Sequence, residues 1–350
     1  MFASLTKPPA MASAVYTDSS PKPANLNVLR YCFALQRSFL ILFDPVMNGN
    51  RIWLPRPCPV CARTAARPFL EKLELKLVRC STCSMVYANP VLAEMASGAF
   101  YDHAGGEYLT PEKIASDYAD VRFERELRLF RSHCRGGSVL DVGCSSGAFL
   151  HQLQKRFPGQ YQVLGTDVST GPLAHAAKMG VPTVTGDFLP QNFPAPFDAV
   201  TFWAVMEHLA EPGAFLRKAA AILKPGGHCF ILTPNLDSLA IRILGAKYRY
   251  IFPEHLNYFT PRTMRDFLAQ AFSVQQVKTS HFNPIVILQD FRNGQRHVPR
   301  ADRVSLLKKT TGYKRNRWLL PIRLAYHLAE SVLSKFQMAD NVAIVGRKEK

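Results

Sequence analysis

Four sets of residues in this 350-residue chain could carry chemistry. The first is a series of aspartates, Asp141, Asp167 and Asp187, each closing a run of mainly apolar residues. A carboxylate can pair with an ammonium, hold the two hydroxyls of a ribose, or accept from an amine. The second and third sets are Glu207-His208 and Glu254-His255. An imidazole titrates near neutral pH and can take a proton from a hydroxyl. His208 and His255 are therefore the candidate catalytic bases, with Glu207 beside the first. The fourth set is two cysteine pairs, Cys58-x2-Cys61 and Cys80-x2-Cys83, separated by 18 residues.

The flanks of the aspartates narrow their use. Val139-Leu140-Asp141-Val142-Gly143-Cys144-Ser145-Ser146-Gly147 reads as a buried strand, a turn of small residues and the start of a helix. Small residues there let a ligand approach the backbone, at the edge where open α/β sheets bind their ligands. A dinucleotide fingerprint would need glycine at Ser145 and at Ala148, and both differ. Asp141 would repel a pyrophosphate and suits a ligand bearing an ammonium, as S-adenosylmethionine (SAM) does. Asp167 follows Asp141 by 26 residues and is followed by Val168; it can take both ribose hydroxyls. Asp187 and Phe188 offer a carboxylate to the adenine amine and a ring beside it.

The elements that must position these residues alternate regularly. Strands are predicted over 138–142, 161–168, 181–188, 197–203, 228–233 and 273–279, and a last one over 341–347. Helices are predicted after the first strand, over 172–179, over 212–223, and from an N-cap at Thr260 to about residue 272. Such alternation implies a doubly wound, mostly parallel α/β sheet with right-handed crossovers. Leu73, Leu75 and Leu77 alternate with charged residues and predict a strand between the cysteine pairs. Residues 91–135 read as mainly helical.

On these residues the chain resembles the class I SAM-dependent methyltransferases over roughly residues 136–280 and the last strand. The resemblance implies a seven-stranded Rossmann-like sheet. It implies that Asp141, Gly143, Cys144, Ser145 and Gly147 form the SAM loop, that Asp167 and Val168 meet the ribose, and that Asp187 and Phe188 border adenine. Ser145 replaces the usual middle glycine. The segment 197–212 resembles that of ubiquinone-type O-methyltransferases, in which an E-x-x-E-H pattern can bind a divalent metal. Glu207 and His208 are kept, but Ala204 stands at the first acid, so no metal is assigned there. The same resemblance implies that Trp203 contacts SAM.

The cysteine spacing fits a zinc ribbon, in which each CxxC turn supplies two thiolates to a tetrahedral site. Cys58, Cys61, Cys80 and Cys83 leave zinc no open position, so the metal is structural. Cys32, Cys134, Cys144 and Cys229 read as buried or loop thiols. Ribbon, methyltransferase domain and the Glu254-His255-Leu256 loop together resemble a bacterial group of ribbon-bearing methyltransferases. The organisation expected is an N-terminal extension over 1–50, disordered or helical; a ribbon over 51–90; and a helical lead-in over 91–135. The SAM domain follows over 136–283, then a basic helical insertion over 284–337, with the last strand and tail over 338–350.

The formal net charge is +17, which draws RNA, anionic membrane or phosphorylated substrates into consideration and selects none of them. Residues 284–350 hold 14 Lys and Arg against 5 Asp and Glu. Their aromatic residues form no RNA-stacking motif. No segment is long and apolar enough to span a bilayer, and paired cysteines of this kind favour metal in a reducing cytoplasm over disulfides. The first reading is a SAM-dependent methyltransferase acting on a small molecule, such as the hydroxyl of a sugar or metabolite. The second is an RNA methyltransferase guided by the ribbon and the basic surface, and the third a non-catalytic ribbon-bearing interaction protein. A peripheral membrane contact through 319–336 is a further candidate partner, and oligomeric state is left open.

Overall fold

Seven strands line up in the order β9-β8-β7-β10-β11-β14-β13 in the computed structural model, which describes residues 46–48, 51–98, 100–101, 109–294 and 320–349. β7 (Gly137–Val142), β8 (Tyr161–Asp167), β9 (Thr183–Thr185), β10 (Phe197–Trp203) and β11 (Leu223–Pro234) run parallel. β13 (Ser273–Ser280) and β14 (Asn341–Arg347) close the other side antiparallel, β14 being inserted between β11 and β13. The predicted Rossmann-like sheet of seven strands is thus present.

The central strands are buried on both faces, as runs such as Val139-Leu140 and Ala199-Val200 require. One core gathers Leu140, Val142, Phe188, Phe202 and Ile231 beneath α6 (Pro212–Ile222) and α8 (Pro261–Leu268). The other gathers Val139, Phe149, Leu153, Ala199 and Phe230 beneath α3 (Glu124–His133) and α4 (Ala148–Arg156). Thr260 caps α8 as predicted, in a reciprocal box with Thr263.

Several local expectations are corrected. The strand predicted over 181–188 is only Thr183–Thr185: Pro182 has no N–H to give the ladder, and Gly186 turns the chain at φ +120°. Leu73 is not in a strand. It forms the turn of the hairpin β3 (Ala66–Lys72) to β4 (Leu75–Cys80), exposed and at φ +53°. The helix from Pro261 stops at Leu268, four residues short of the prediction. β11 begins early, Leu223 pairing with Phe197 before Pro-Gly-Gly shifts the register to Ala199↔His228. The lead-in is helical only in part. It opens with β6 (Val91–Leu92) and continues as α1 (Ala93–Ala96), α2 (Pro111–Asp117) and α3.

The largest departure concerns the cysteine-bearing segment. Its sheet, β3-β4-β5, gains a fourth strand, β12 (Asn257–Tyr258), from the loop after β11. β12 pairs antiparallel with β5 (Val86–Ala88), Asn257 opposite Tyr87. The segment over 51–90 is therefore continuous with the domain it was expected to precede.

The loop between β11 and β12 is tied down again at Arg249. Its backbone N–H and Nε donate to the two carboxylate oxygens of Asp290, both at 2.8 Å, in α9 (Pro284–Asn293). Both side chains are almost wholly buried. Of the region 284–337, the described residues form α9 and α10 (Leu320–Lys335). The expectations for 1–45 and 295–319, Cys32 included, lie outside the described residues. Among the described residues no helix is long and apolar enough to cross a membrane.

Removing one partner of a buried pair strands the other charge. Asp290→Ala should cost about 3–5 kcal/mol, read as a lowered urea midpoint; a loss below ~1 kcal/mol would show that Arg249 finds other acceptors.

Candidate active site

The chain after β7 folds into a tight turn. Gly143 and Cys144 both donate their N–H to the Thr166 carbonyl, at 2.7 and 3.1 Å, and the Gly147 N–H returns to the Cys144 carbonyl at 2.9 Å. Three residues have positive φ: Gly143 at +71°, Ser145 at +50° and Gly147 at +73°. Ser145 occupies the conformation that the usual glycine adopts freely, at a cost of roughly 1 kcal/mol. Gly147 is required for a second reason. A Cβ there would lie 2.7 Å from that of Ala176 on α5 (Thr170–Lys178).

Asp167 locks this turn. Its Oδ2 accepts from the Ser145 N–H at 2.8 Å and its Oδ1 from the Ser169 N–H at 2.9 Å. Burial raises its pKa, and these backbone donors oppose the rise. Asp141 lies beneath the turn, 3% exposed, and accepts from the Thr201 hydroxyl at 2.6 Å. Burial pushes its pKa up to about 7, against the pull of that bond. The two carboxylates stand at adjacent parallel strands, on the carboxyl edge.

The other predicted donor-side residues are arranged less simply. Cys144 turns its thiol inward, against the place where a Cβ on Gly165 would lie. Val168 is exposed. Asp187 is also exposed, its Oδ1 capping the Leu189 N–H at 3.0 Å. Phe188 is buried among Phe193, Phe202 and Phe215. Trp203 packs on Phe149, ring centroids 5.2 Å apart, with its indole N–H buried and without a hydrogen-bond partner.

Glu207, His208 and His255 come together: each offers a ligand atom, and these lie within 4.8 Å of one another. Two elements that the sequence separates by 46 residues are joined by backbone bonds, as Leu256 and Asn257 both donate their N–H to the Glu207 carbonyl, at 2.7 and 3.0 Å. The His208 and His255 rings meet edge to face at 4.6 Å. His208 Nδ1 lies 2.8 Å from the Glu254 carbonyl and 2.6 Å from the Tyr101 hydroxyl. A carbonyl only accepts, so Nδ1 carries the proton when that bond is made and Nε2 is the basic nitrogen. His255, expected in an open loop, is 4% exposed and packed among Tyr250, Phe252 and Tyr258. Glu207 is 1% exposed. Its Oε2 is buried without a hydrogen-bond partner, and burial pushes its pKa up to about 8. Burial thus favours its un-ionised form. The three side chains also have the donor types to hold a cation, with His255 in place of the acid missing at Ala204.

The four cysteines converge as expected, their sulfurs all within 4.8 Å of one another. Cys58 Sγ and Cys83 Sγ are 3.5 Å apart, as are those of Cys61 and Cys80. A tetrahedron with metal–sulfur bonds of about 2.3 Å has edges of about 3.8 Å, so the set fits a zinc ion. Each knuckle closes by an N–H to the first cysteine carbonyl, from Ala62 at 2.9 Å and from Ser84 at 3.1 Å. Ala62 and Ser84 take positive φ there, at +58° and +65°, where glycine is common.

Sequence reasoning missed the residues that tie these sites together. Arg56 is buried, and its guanidinium donates to the carbonyls of Ala88, Ala210 and Leu256 and to Asn257 Oδ1. Burial lowers its pKa to about 10. Tyr118 braces the SAM-type turn by donating to the Ser146 carbonyl at 2.5 Å. Ser169 donates to the Tyr101 carbonyl at 2.9 Å, so Tyr101 links the turn after β8 to His208. Asn257 alone carried a signal, through its place in the polar run Glu254–Tyr258. An isolated Arg, Tyr or Ser carries none.

Residues 116–272 match the family described as "Methyltransferase domain". Two curated relatives are named ubiquinone biosynthesis O-methyltransferase. That of Caulobacter vibrioides is 33% identical over 168 residues, covering 44% of this chain and 65% of the relative. That of Acinetobacter baumannii strain AYE is 29% identical over 167 residues, covering 43% and 69%. The match to the Caulobacter enzyme thus falls just short of two thirds of its length. Among solved structures, a SAM-dependent methyltransferase of Archaeoglobus fulgidus is 18% identical with a TM-score of 0.44, covering 71% of this chain and 100% of its own. The N-methyltransferase NodS of Bradyrhizobium japonicum, bound to S-adenosyl-L-homocysteine, is 13% identical with a TM-score of 0.44, covering 71% and 98%.

The folded protein holds a proton on Glu207 up to about pH 8, whereas the unfolded chain releases it in the ordinary carboxylate range. Between those values the folded state binds more protons, so this group's contribution to stability falls as pH rises, by at most about 1.4 kcal/mol per pH unit. Glu207→Gln should therefore raise the thermal midpoint more at pH 8.5 than at pH 5.5. Equal shifts at both would mean that Glu207 ionises normally.

Proposed function

We propose that this chain is a SAM-dependent methyltransferase that methylates a hydroxyl of a small-molecule acceptor. The observation that carries the reading is the turn at residues 143–147, locked to Asp167 and set over the buried carboxylate of Asp141. In this reading Asp141 faces the SAM ammonium and Asp167 the ribose hydroxyls. Gly143, Ser145 and Gly147 give the ligand access to the backbone, and Val168 and Asp187 border the ribose and adenine. The phenyl of Phe188 and the indole of Trp203 support the pocket from the core side, and Cys144 shapes the turn.

SAM supplies an electrophilic methyl group on a sulfonium. Its S–CH3 bond breaks as the acceptor oxygen forms the new O–CH3 bond, and the protein chiefly aligns the two. The acceptor hydroxyl must give up its proton, and His208 or His255 takes it. With Nδ1–H directed at the Glu254 carbonyl, Nε2 is the nitrogen of His208 that would take the proton. Glu207, neutral at pH 7, keeps negative charge away from the attacking oxygen and can donate a hydrogen bond to it. A hydroxyl acceptor agrees with the O-methyltransferase names of the curated relatives. Zinc in the four-cysteine site is structural in this reading, having no open coordination position.

Asp167→Ala should abolish SAM binding by calorimetry, because it removes both the ribose acceptor and the lock on the Ser145 N–H. Measurable binding at millimolar SAM by the unaltered protein is the precondition, and its absence would sink the enzyme reading. Acceptors can be sought with labelled SAM against extract fractions separated into RNA, lipid and small molecules. Label in RNA alone would replace the small-molecule acceptor. With an acceptor in hand, His255→Ala should keep SAM affinity within about twofold and lower turnover by about 10²-fold or more. Unchanged turnover would remove His255 from the proton path.

A further inference from the structure

We propose that Arg56 couples the four-cysteine site to the acceptor-side loop, so that zinc bound there orders Glu254–Asn257 and holds His255 against His208. The inference rests on reading Cys58, Cys61, Cys80 and Cys83 as a zinc site, and is independent of the identity of the methyl acceptor.

Arg56 lies two residues before Cys58, with Pro55 and Pro57 on either side. Proline fixes its own φ and restricts the residue before it, so the position of the first knuckle is passed to Arg56 with little slack. The guanidinium lies 5.4 Å from the centre of the Tyr87 ring, and Tyr87 is packed in the same core as Cys58 and Cys80. Every hydrogen-bond acceptor of the guanidinium is an uncharged oxygen: the carbonyls of Ala88 (3.1 Å), Ala210 (2.9 Å) and Leu256 (2.6 Å), and Asn257 Oδ1 (2.8 Å). A buried cation with neutral partners needs a counter-charge. Zn²⁺ with four thiolates carries a net charge of −2, and the site begins two residues away.

The same four acceptors define the acceptor side. Leu256 and Asn257 hold the Glu207 carbonyl through their N–H groups. The amide of Asn257 reaches across to the carbonyls of Met206 and Leu209, at 2.8 and 2.7 Å. Arg56 thus grips both chains that carry the Glu207, His208 and His255 side chains. A second route runs through the sheet: Cys80 ends β4, β4 pairs with β5, and β5 pairs with β12. At the far end of the ribbon Lys72, also buried, donates to the Tyr248 carbonyl at 3.0 Å. The metal draws the two knuckles together and thereby fixes the sheet edge and the guanidinium on which the loop is hung.

Hydrogen exchange on the full chain, read by mass spectrometry, tests this without an acceptor. Zinc is first counted by elemental analysis, then stripped with a chelator and restored with zinc chloride. Stripping should speed exchange at Leu256 and Asn257 by about tenfold or more, and zinc should reverse it. Exchange at 139–142, in the central sheet, should change little. Arg56→Met should show the fast exchange at 256–257 with zinc still bound, and adding zinc should no longer slow it. Arg56→Lys keeps the charge and loses the fork, so it should exchange faster than the unaltered protein if the hydrogen bonds carry the coupling; it serves also if Arg56→Met does not fold. Protein that neither contains nor takes up zinc would overturn the metal premise and this inference, leaving the SAM reading untouched. Bound zinc whose removal leaves 256–257 unchanged, or speeds 139–142 equally, would overturn the coupling. So would an Arg56→Lys protein that still responds to zinc as the unaltered chain does.

Discussion

Burying a guanidinium costs several kcal/mol unless its N–H groups are met by oxygens and its charge is balanced. Arg56 meets the first condition by drawing on three separated stretches of chain: Ala88 on the ribbon, Ala210 after β10, and Leu256-Asn257 after β11. That requirement fixes how the molecule is assembled. The cysteine-bearing segment is not an appendage: its sheet is completed by β12, and its arginine bonds the chain after β10 and after β11.

The two sides of the cleft solve the same electrostatic problem differently. On the donor side, Asp167 is buried, which raises its pKa, and the N–H groups of Ser145 and Ser169 on its oxygens oppose that rise. On the acceptor side, Glu207 has a buried oxygen without a donor and holds its proton to about pH 8. A carboxylate there would repel an oxygen nucleophile, whereas a carboxylic acid can donate to it. Asp141 has one hydroxyl donor, and burial pushes its pKa up to about 7. An ammonium placed beside it would draw its pKa down.

Much of the donor side was legible in the sequence because strand ends and tight turns are local events. An apolar run, an aspartate and small residues fixed where β7 and β8 end, and Asp141 and Asp167 lie where that pattern puts them. Ser145 shows the limit of such reading: it looks like a departure from glycine, yet it takes the left-handed conformation that glycine would. Phe188 shows another limit, since alternation along a strand does not continue through the turn after it, and its side chain points into the core. The acceptor side was legible only as residue types. His255 reads from sequence as a loop residue outside any packed element, but Glu254-His255-Leu256 is buried by long-range pairing with Tyr87 and Glu207. Nothing local to either segment encodes that contact.

The position of the four-cysteine segment also bears on what a metal bound there would do. A four-stranded sheet whose edge strand is two residues long has few ladder bonds of its own. Both knuckles adopt left-handed turns at Ala62 and Ser84, without the glycines that would make them inexpensive. Backbone strain and a short edge work against the clamp, and contacts among four cysteines without a metal would be weak compensation. Four metal–sulfur bonds would supply the missing free energy at the end of β4, where the hairpin and the knuckles meet. The metal would then act well away from any bond being made, through the rigidity it lends to Arg56.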